Sequence, residues 1–298
     1  MADAPRCAFL SRDRDEALHG TASRVQRWLV VEQPGPWGRE AVVESRLPAE
    51  VGHVLRSMAR RLGVRVLLVR RPGWRRGATR RVYVARTAPD RQWIEQLDLA
   101  DPRELLDLDL HAVAADDPPG LGEPGPSSVH LVCTHGRHDA CCADLGRPVV
   151  RALDDAGVAE VWESSHLGGD RFAANLVCLP TGTYYGRVAP ESAAALVRGH
   201  EAGVIDLEHY RGRSCLPPLV QSAEIFARRH LDEVRIDGLT VTGVTGGAGS
   251  AEVCLAGADG RRIIVQVVRE RAESAVLTCS AVGQGQAWRY RLVDITDG

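Results

Sequence analysis

Val51-Gly-His-Val54-Leu55-Arg-Ser-Met58-Ala-Arg-Arg-Leu62-Gly63-Val64-Arg-Val-Leu-Leu-Val69 runs from a helical pattern straight into a strand. Its apolar residues Val51, Val54, Leu55, Met58 and Leu62 recur at i, i+3, i+4, i+7 and i+11, which is one face of a helix. Gly63 suits the left-handed position just past a helix C-terminus. The unbroken apolar run that follows has the pattern of a strand buried on both faces. Upstream, Arg27-Trp-Leu-Val-Val-Glu32 is a short strand that ends at the turn Pro34-Gly35-Pro36-Trp37-Gly38. Downstream, Arg81-Val-Tyr-Val-Ala85 is another strand. The order is strand, helix, strand, strand.

The order recurs. Val129-His-Leu-Val-Cys133 is a strand entering a glycine-containing loop. Pro148 to Ala156 is a helix closed by Gly157, and Val158 to Glu163 is a strand closed by a Gly-Gly turn. Asn175 to Leu179 and Tyr184 to Val188 form a hairpin through Pro180-Thr-Gly182, and Pro190 to His200 is a helix. Leu62-Gly63-Val64-Arg-Val66 and Ala156-Gly157-Val158-Ala-Glu-Val161 thus mark the same joint in two related α/β lobes. Residues 98–126 are acidic and then rich in Pro and Gly, the composition of an exposed connector. After Leu219 to Leu231, a helix, short strands are expected at Leu239 to Gly243, Ala251 to Ala256, Arg261 to Arg269 and Val276 to Cys279. They make a small β-rich C-terminal unit. The boundaries read as 1–97, 98–127, 128–210 and 211–298.

The totals exclude several classes. Hydrophobic residues at 44% and charged ones at 26% are ordinary for a globular chain, and a formal net charge of −2 gives no pull toward nucleic acid or an anionic membrane. All 37 cationic residues are arginine, which reflects a GC-rich genome before it reflects function. Met1 to Pro5 is polar with no apolar stretch behind it, so no secretory leader is expected. No run reaches the ~18 to 20 apolar residues of a membrane span. The expected compartment is the cytoplasm, where the eight cysteines read as ligands, redox groups or buried small hydrophobes.

Cys133-Thr-His-Gly-Arg-His-Asp-Ala-Cys141-Cys142 places three sulfurs within ten residues directly after a strand. Ser165-His166-Leu-Gly-Gly-Asp170 adds an imidazole and a carboxylate around a Gly-Gly turn. Soft sulfur and borderline nitrogen donors beside tight turns point to a metal centre. Cys178, Cys254 and Cys279, inside apolar strands, read as inert. The step from Cys133 to Cys142 is too long for the C-x2–4-C pair of a closed zinc site. There is no G-x-S-x-G elbow. A thioredoxin-type C-x-x-C is missing, which leaves vicinal Cys141 and Cys142 as the pair for a thiol oxidoreductase. The arginines from Arg56 to Arg91 read as a solvated face offset by the acidic connector, with a docking patch for an acidic redox partner as the functional alternative.

At these residues the chain resembles the sucrase/ferredoxin-like family. The resemblance rests on Cys133-Thr-His-Gly, Asp139-Ala-Cys141-Cys142, Trp162-Glu-Ser-Ser-His166-Leu-Gly-Gly-Asp170-Arg-Phe-Ala and Tyr185-Gly-Arg187-Val. It reaches into the first lobe through Arg27 to Gly38 and Val64 to Gly73. It implies thioredoxin-like lobes, a [2Fe–2S] cluster and electron transfer to a redox partner that the sequence does not name. Cys133, Cys142 and His166 match the family's ligand pattern. Asp170 stands where that pattern has a second histidine, so the fourth ligand is Asp170, Cys141 or an exogenous group. Other readings are a cluster-free binding module or a zinc-stabilised structural one.

Overall fold

The computed structural model describes residues 6–74, 77–281 and 283–297. Helix α1 (Cys7–Asp13) precedes the first lobe: β1 (Arg27–Glu32), α2 (Ala41–Glu44), α3 (Ala49–Leu62), β2 (Val64–Arg70), β3 (Arg80–Thr87) and β4 (Gln92–Leu99). Gly63 adopts φ 64°, the left-handed turn that stops α3 and releases the chain into β2. Val51, Leu55 and Met58 of α3 are buried against Leu29, Val31, Leu68 and Val82 of the sheet.

The 98–127 segment is only partly the exposed connector that its composition suggests. Leu105, Leu110 and Val113 are buried against the first lobe. The two-residue strand β5 (Glu123–Pro124) pairs with β4. Apolar residues spaced through an acidic stretch are enough to hold it down, which a compositional reading averages away.

The second lobe contains β6 (Val129–Cys133), α4 (Ala140–Asp155), β7 (Val161–Ser164), β8 (Leu176–Leu179), β9 (Thr183–Tyr185), α5 (Pro190–Glu201) and β10 (Tyr210–Arg213). Helix α4 begins eight residues before the sequence-expected start at Pro148, because Asp139 caps it by accepting the Cys141 N–H at 2.8 Å. The lobes share one ten-stranded sheet in the order β10-β9-β8-β6-β7-β2-β1-β3-β4-β5. Each contributes a parallel pair linked by a helix (β1 with β2, β6 with β7), then antiparallel strands outward. Read from the middle, the two halves repeat one topology.

The seam is antiparallel, Val69 opposite Ser164 and Arg70 opposite Glu163. Arg70 and Glu163 are both buried there, paired at 2.6 Å. Arg70 also donates to the Gly35 carbonyl at 3.2 Å and lies 4.5 Å from the Trp37 ring, while Thr134 donates to Glu163 at 2.8 Å. The charge pair thus has further hydrogen bonds beside its own, the condition under which burial of ions is tolerated.

Helix α6 (Pro218–Leu231) then packs between the second lobe, through Ile225, and an antiparallel meander, through Val220, Ala223 and Ala227. The meander is β11 (Leu239–Gly246), β12 (Ser250–Gly257), β13 (Arg262–Arg271) and β14 (Trp288–Asp297). The strand expected at Val276 to Cys279 is instead a loop folded onto α1 and α4: Val276 and Cys279 pack with Cys7 and Cys141. The fourth strand is β14, an edge strand exposed at most positions, so its sequence lacks the alternation that marks half-buried strands.

Candidate metal centre

Cys133 is the last residue of β6 and is buried. Helix α4 brings Cys142 to it by an unusually close approach. Gly146, one turn beyond Cys142 on the same helix face, has no room for a side chain, since a Cβ there would lie 2.0 Å from the Cys133 carbonyl oxygen. The backbone contact sets the distance between the helix and the strand end, and so between the two thiols.

The third and fourth donors come from the loop after β7. Gly168 and Gly169 adopt φ 101° and 81°, which folds Asp170 back over His166. Behind the loop lies Arg211 of β10, fully buried. It donates to the Gly168 carbonyl at 3.0 Å and to Asn175 Oδ1 at 2.7 Å, and Thr21 accepts from it as well. From β2, Arg65 donates to the His166 carbonyl at 2.6 Å. The loop is therefore held from both lobes.

One donor atom each from Cys133, Cys142 and His166 lie within 4.8 Å of one another. Asp170 Oδ1 accepts from Cys142 Sγ at 3.3 Å and stands 2.9 Å from His166 Nδ1. That nitrogen is buried, and despite the short distance it is not aligned to hydrogen-bond with anything. Donor atoms of Cys133, Cys142 and His166 thus converge on one point, with the Asp170 carboxylate against the imidazole. Two sulfurs, an imidazole and a carboxylate are also a chemically sufficient donor set for iron or zinc.

Electrostatics agree with the geometry. The hydrogen bond from Cys142, helped by His166 and opposed by burial, holds the Cys133 thiol well below its ordinary value. The same hydrogen bond, with burial, pushes Cys142 well up. Burial disfavours the His166 cation, but Asp170 and Cys133 outweigh it and lift His166 to about 9. Burial likewise raises Asp170, and the charge of His166 more than reverses this. A cation bound here would compete with protons at Cys142 and His166.

Cys141, the other candidate for the fourth ligand, is not brought to this group. Its sulfur lies 3.4 Å from Cys279 Sγ in a separate cluster. The same divergence separates the sulfurs of Cys141 and Cys142 into different groups, so the vicinal thiol pair of an oxidoreductase is not formed. Cys279, read as inert, is not in a strand but in that second cluster. Cys178 is buried in β8, and Cys254 sits in β12.

Three residues escaped the sequence reading. His138 stacks on His166 with ring centroids 3.7 Å apart, and its Nε2 is 3.7 Å from Asp170 Oδ2. Its position inside the Cys133–Cys142 loop was the available signal. Arg211 and Gly146 act through tertiary contacts and had none. Beside His166 opens a cleft of ≈ 640 Å³ lined by Arg39, Arg56, Arg60, Arg65, His135 and His138 together with Glu40 and Glu44, and Arg56 stands 3.6 Å from Glu40. Most other arginines of the 56–91 stretch are paired: Arg71 with Glu32, Arg81 with Asp98, Arg86 with Asp116 and Arg91 with Asp117. Arg75 and Arg76 lie outside the described residues.

Fold and site together define an α/β protein with a thiolate, imidazole and carboxylate centre between a strand end and a helix N-terminus. The sucrase/ferredoxin-like family model matches residues 18–212, about two thirds of the chain, and the protein belongs to that family. No curated protein matches it. Among solved structures it is similar to the thioredoxin-like [2Fe-2S] ferredoxin from Aquifex aeolicus. Two variants of that protein, each with one cysteine replaced by serine, are 18% and 19% identical, with 29% of this chain and 99% of theirs covered at a TM-score of 0.26. A further structure of it is 18% identical, with 31% of this chain and 97% of that one covered, also at 0.26. No helix among the described residues is long and apolar enough to cross a membrane.

Proposed function

We propose that this protein is a one-electron carrier whose Cys133, Cys142, His166 and Asp170 hold a [2Fe–2S] cluster. The observation that carries the reading is the convergence of donor atoms from Cys133, Cys142 and His166 within 4.8 Å of one another, with Asp170 2.9 Å from the imidazole. Such a cluster supplies one reversible Fe(III)/Fe(II) electron, at a potential raised where neutral imidazole replaces thiolate. Cys133 and Cys142 are the thiolate pair, spaced by the contact at Gly146. His166 and Asp170 are the second pair, oriented from behind by Arg211. His138, stacked on the His166 ring, screens that ring from water on one face.

The His166 side chain is 24% exposed and borders the arginine-lined cleft. This makes it the point of electron entry and exit, and an acidic protein surface the matching partner. All eight cysteines are free thiols, in keeping with the cytoplasm as the working compartment.

Anaerobic reconstitution with iron and sulfide tests the reading. The expected product is brown, with iron and acid-labile sulfide in equal amounts, and reducible by one electron. A chain that stays colourless ends it. The donor atoms of Cys133, Cys142 and His166 alone also lie within the span of one tetrahedral ion, which favours structural zinc as the second reading; bound zinc with no iron uptake would select it.

A further inference from the structure

Cys7 opens α1, Cys141 lies in the first turn of α4, and Cys279 sits in the loop between β13 and β14. Cys7 and Cys279 are 272 positions apart. Their sulfurs nevertheless meet: Cys141 Sγ is 3.4 Å from Cys279 Sγ, which is 3.5 Å from Cys7 Sγ. The Asp139 carboxylate oxygens are 3.6 and 3.8 Å from Cys7 Sγ, and the four residues each offer a donor atom within 4.8 Å of all the others. None of the three cysteines is in a disulfide.

Three thiols from three elements are thus arranged at the corners of a small polyhedron, with an oxygen at the fourth. Zinc–sulfur bonds of about 2.3 Å place tetrahedral thiolates roughly 3.7 Å apart, so the observed spacing needs only a few tenths of an ångström of opening. The Cys7 N–H donates to Cys279 Sγ at 3.5 Å. Asp139 is buried and accepts the N–H groups of both Cys141 and Cys279, at 2.8 and 2.6 Å, which fixes the two ligand backbones relative to each other. The positive end of the α4 dipole adds to the attraction for the negative donor set.

We propose that Cys7, Cys141 and Cys279, closed by Asp139, bind a thiophilic divalent cation, Zn²⁺. The ion staples α1 and the loop of the C-terminal sheet to the first turn of α4. Binding exchanges the thiol protons for the metal and makes no redox demand. The site shares no donor with the centre at Cys133 and Cys142, although Cys141 adjoins Cys142 in the chain.

The test uses the full-length chain, purified under reducing conditions, loaded with Zn²⁺, desalted, and measured for zinc and iron beside Cys279→Ser and Cys133→Ala. Cys279→Ser should lose one equivalent of zinc and keep the visible spectrum, whereas Cys133→Ala should keep that zinc and lose the iron. A misfolded Cys279→Ser chain would also lose zinc, so Cd²⁺ titration of the wild-type chain gives a second reading: an ultraviolet thiolate-to-metal band with the intensity of three sulfurs, retained in Cys133→Ala. Zinc that survives Cys279→Ser and disappears in Cys133→Ala belongs to the first centre and overturns the proposal. A disulfide among the three cysteines, found by intact mass under the same conditions, also overturns it. A colourless wild-type chain that still loses zinc on Cys279→Ser leaves this site standing and removes only the cluster.

Discussion

Cys141 and Cys142 are consecutive in α4, yet Cys142 Sγ lies 3.3 Å from Asp170 Oδ1 while Cys141 Sγ lies 3.4 Å from Cys279 Sγ. Adjacent residues on a helix point about 100° apart, so the first turn of α4 serves two thiol groups on different faces. One face looks to the strand end that carries Cys133. The other looks to the two ends of the chain. Asp139 caps this turn and touches the second group, so a single helix start organises both.

Replacing a sulfur of the first group should remove the metal. Cys133→Ala and Cys142→Ala are expected to abolish the visible absorption of reconstituted protein and to lower its melting temperature, since apo loops lose their anchor. At the fourth position Asp170→His should keep a more robust cluster and Asp170→Ala should lose or alter it. Cys141→Ser should leave the spectrum near wild type. A spectrum changed by Cys141→Ser but not by Asp170→Ala would reverse that assignment.

Gly146→Ala tests the spacer. A methyl group 2.0 Å from the Cys133 carbonyl forces α4 away from β6, at a cost of about 1–3 kcal/mol for overpacking. Urea unfolding should show that loss, and iron content per folded chain should fall with it. Full stability with full iron loading would contradict the close approach.

The seam between the lobes contains a buried ion pair. Glu163→Gln leaves the Arg70 guanidinium without its counter-charge and is expected to cost about 3 kcal/mol, measured by urea denaturation. The double replacement Arg70→Met with Glu163→Leu should recover most of that, because no uncompensated charge stays buried. A single variant as stable as wild type would show that the pair is solvated in solution.

Acid should destabilise the chain before its carboxylates titrate. Burial, with His130 nearby, lowers His200 to about 3, and burial, with Arg229, lowers His19 to about 4. Both folded values lie below the ordinary 6.5, so the stability they contribute is present above 6.5 and lost as pH falls toward 4 and 3. The slope is at most about 1.4 kcal/mol per pH unit for each group. In the metal-free chain His166, lifted to about 9, acts in the opposite window: its contribution is complete below 6.5 and lost as pH rises through 9. Unfolding free energies of His200→Gln between pH 4.5 and 6.5 should show a shallower slope, and an unchanged slope would remove His200 as a source.

Salt should slow electron exchange. Arg39, Arg56, Arg60 and Arg65 line the cleft beside His166, and attraction between exposed charges is screened beyond ~8 Å at 0.15 M ionic strength. Second-order reduction rates with an acidic ferredoxin-type donor should fall several-fold from 20 mM to 300 mM salt. Rates indifferent to salt would exclude the cleft as the docking surface.

The local pattern carried much of this architecture. Helical spacing through Val51 to Leu62, a glycine at the joint and an apolar run after it are properties of a few neighbouring side chains, and they sufficed for both lobes. The same holds for the trio Cys133, Cys142 and His166, whose segments read as ligand-bearing because strand end, helix start and Gly-Gly turn each depend on nearby residues. The merging of the lobes was not local. It depends on β2 pairing with β7 and on a core shared by Leu67, Val69, Leu131 and Trp162, with Arg70 meeting Glu163 across 93 positions, and nothing near these residues encodes their partners. The separation of Cys141 from Cys142 depends on where α4 begins, and the role of Cys279 on a loop that leaves its sheet to reach α1. Periodicity reports which face of an element is apolar. Which surface that face meets is settled by packing among all the elements at once, and there the two thiol groups, the Gly146 contact and the Arg211 brace were decided.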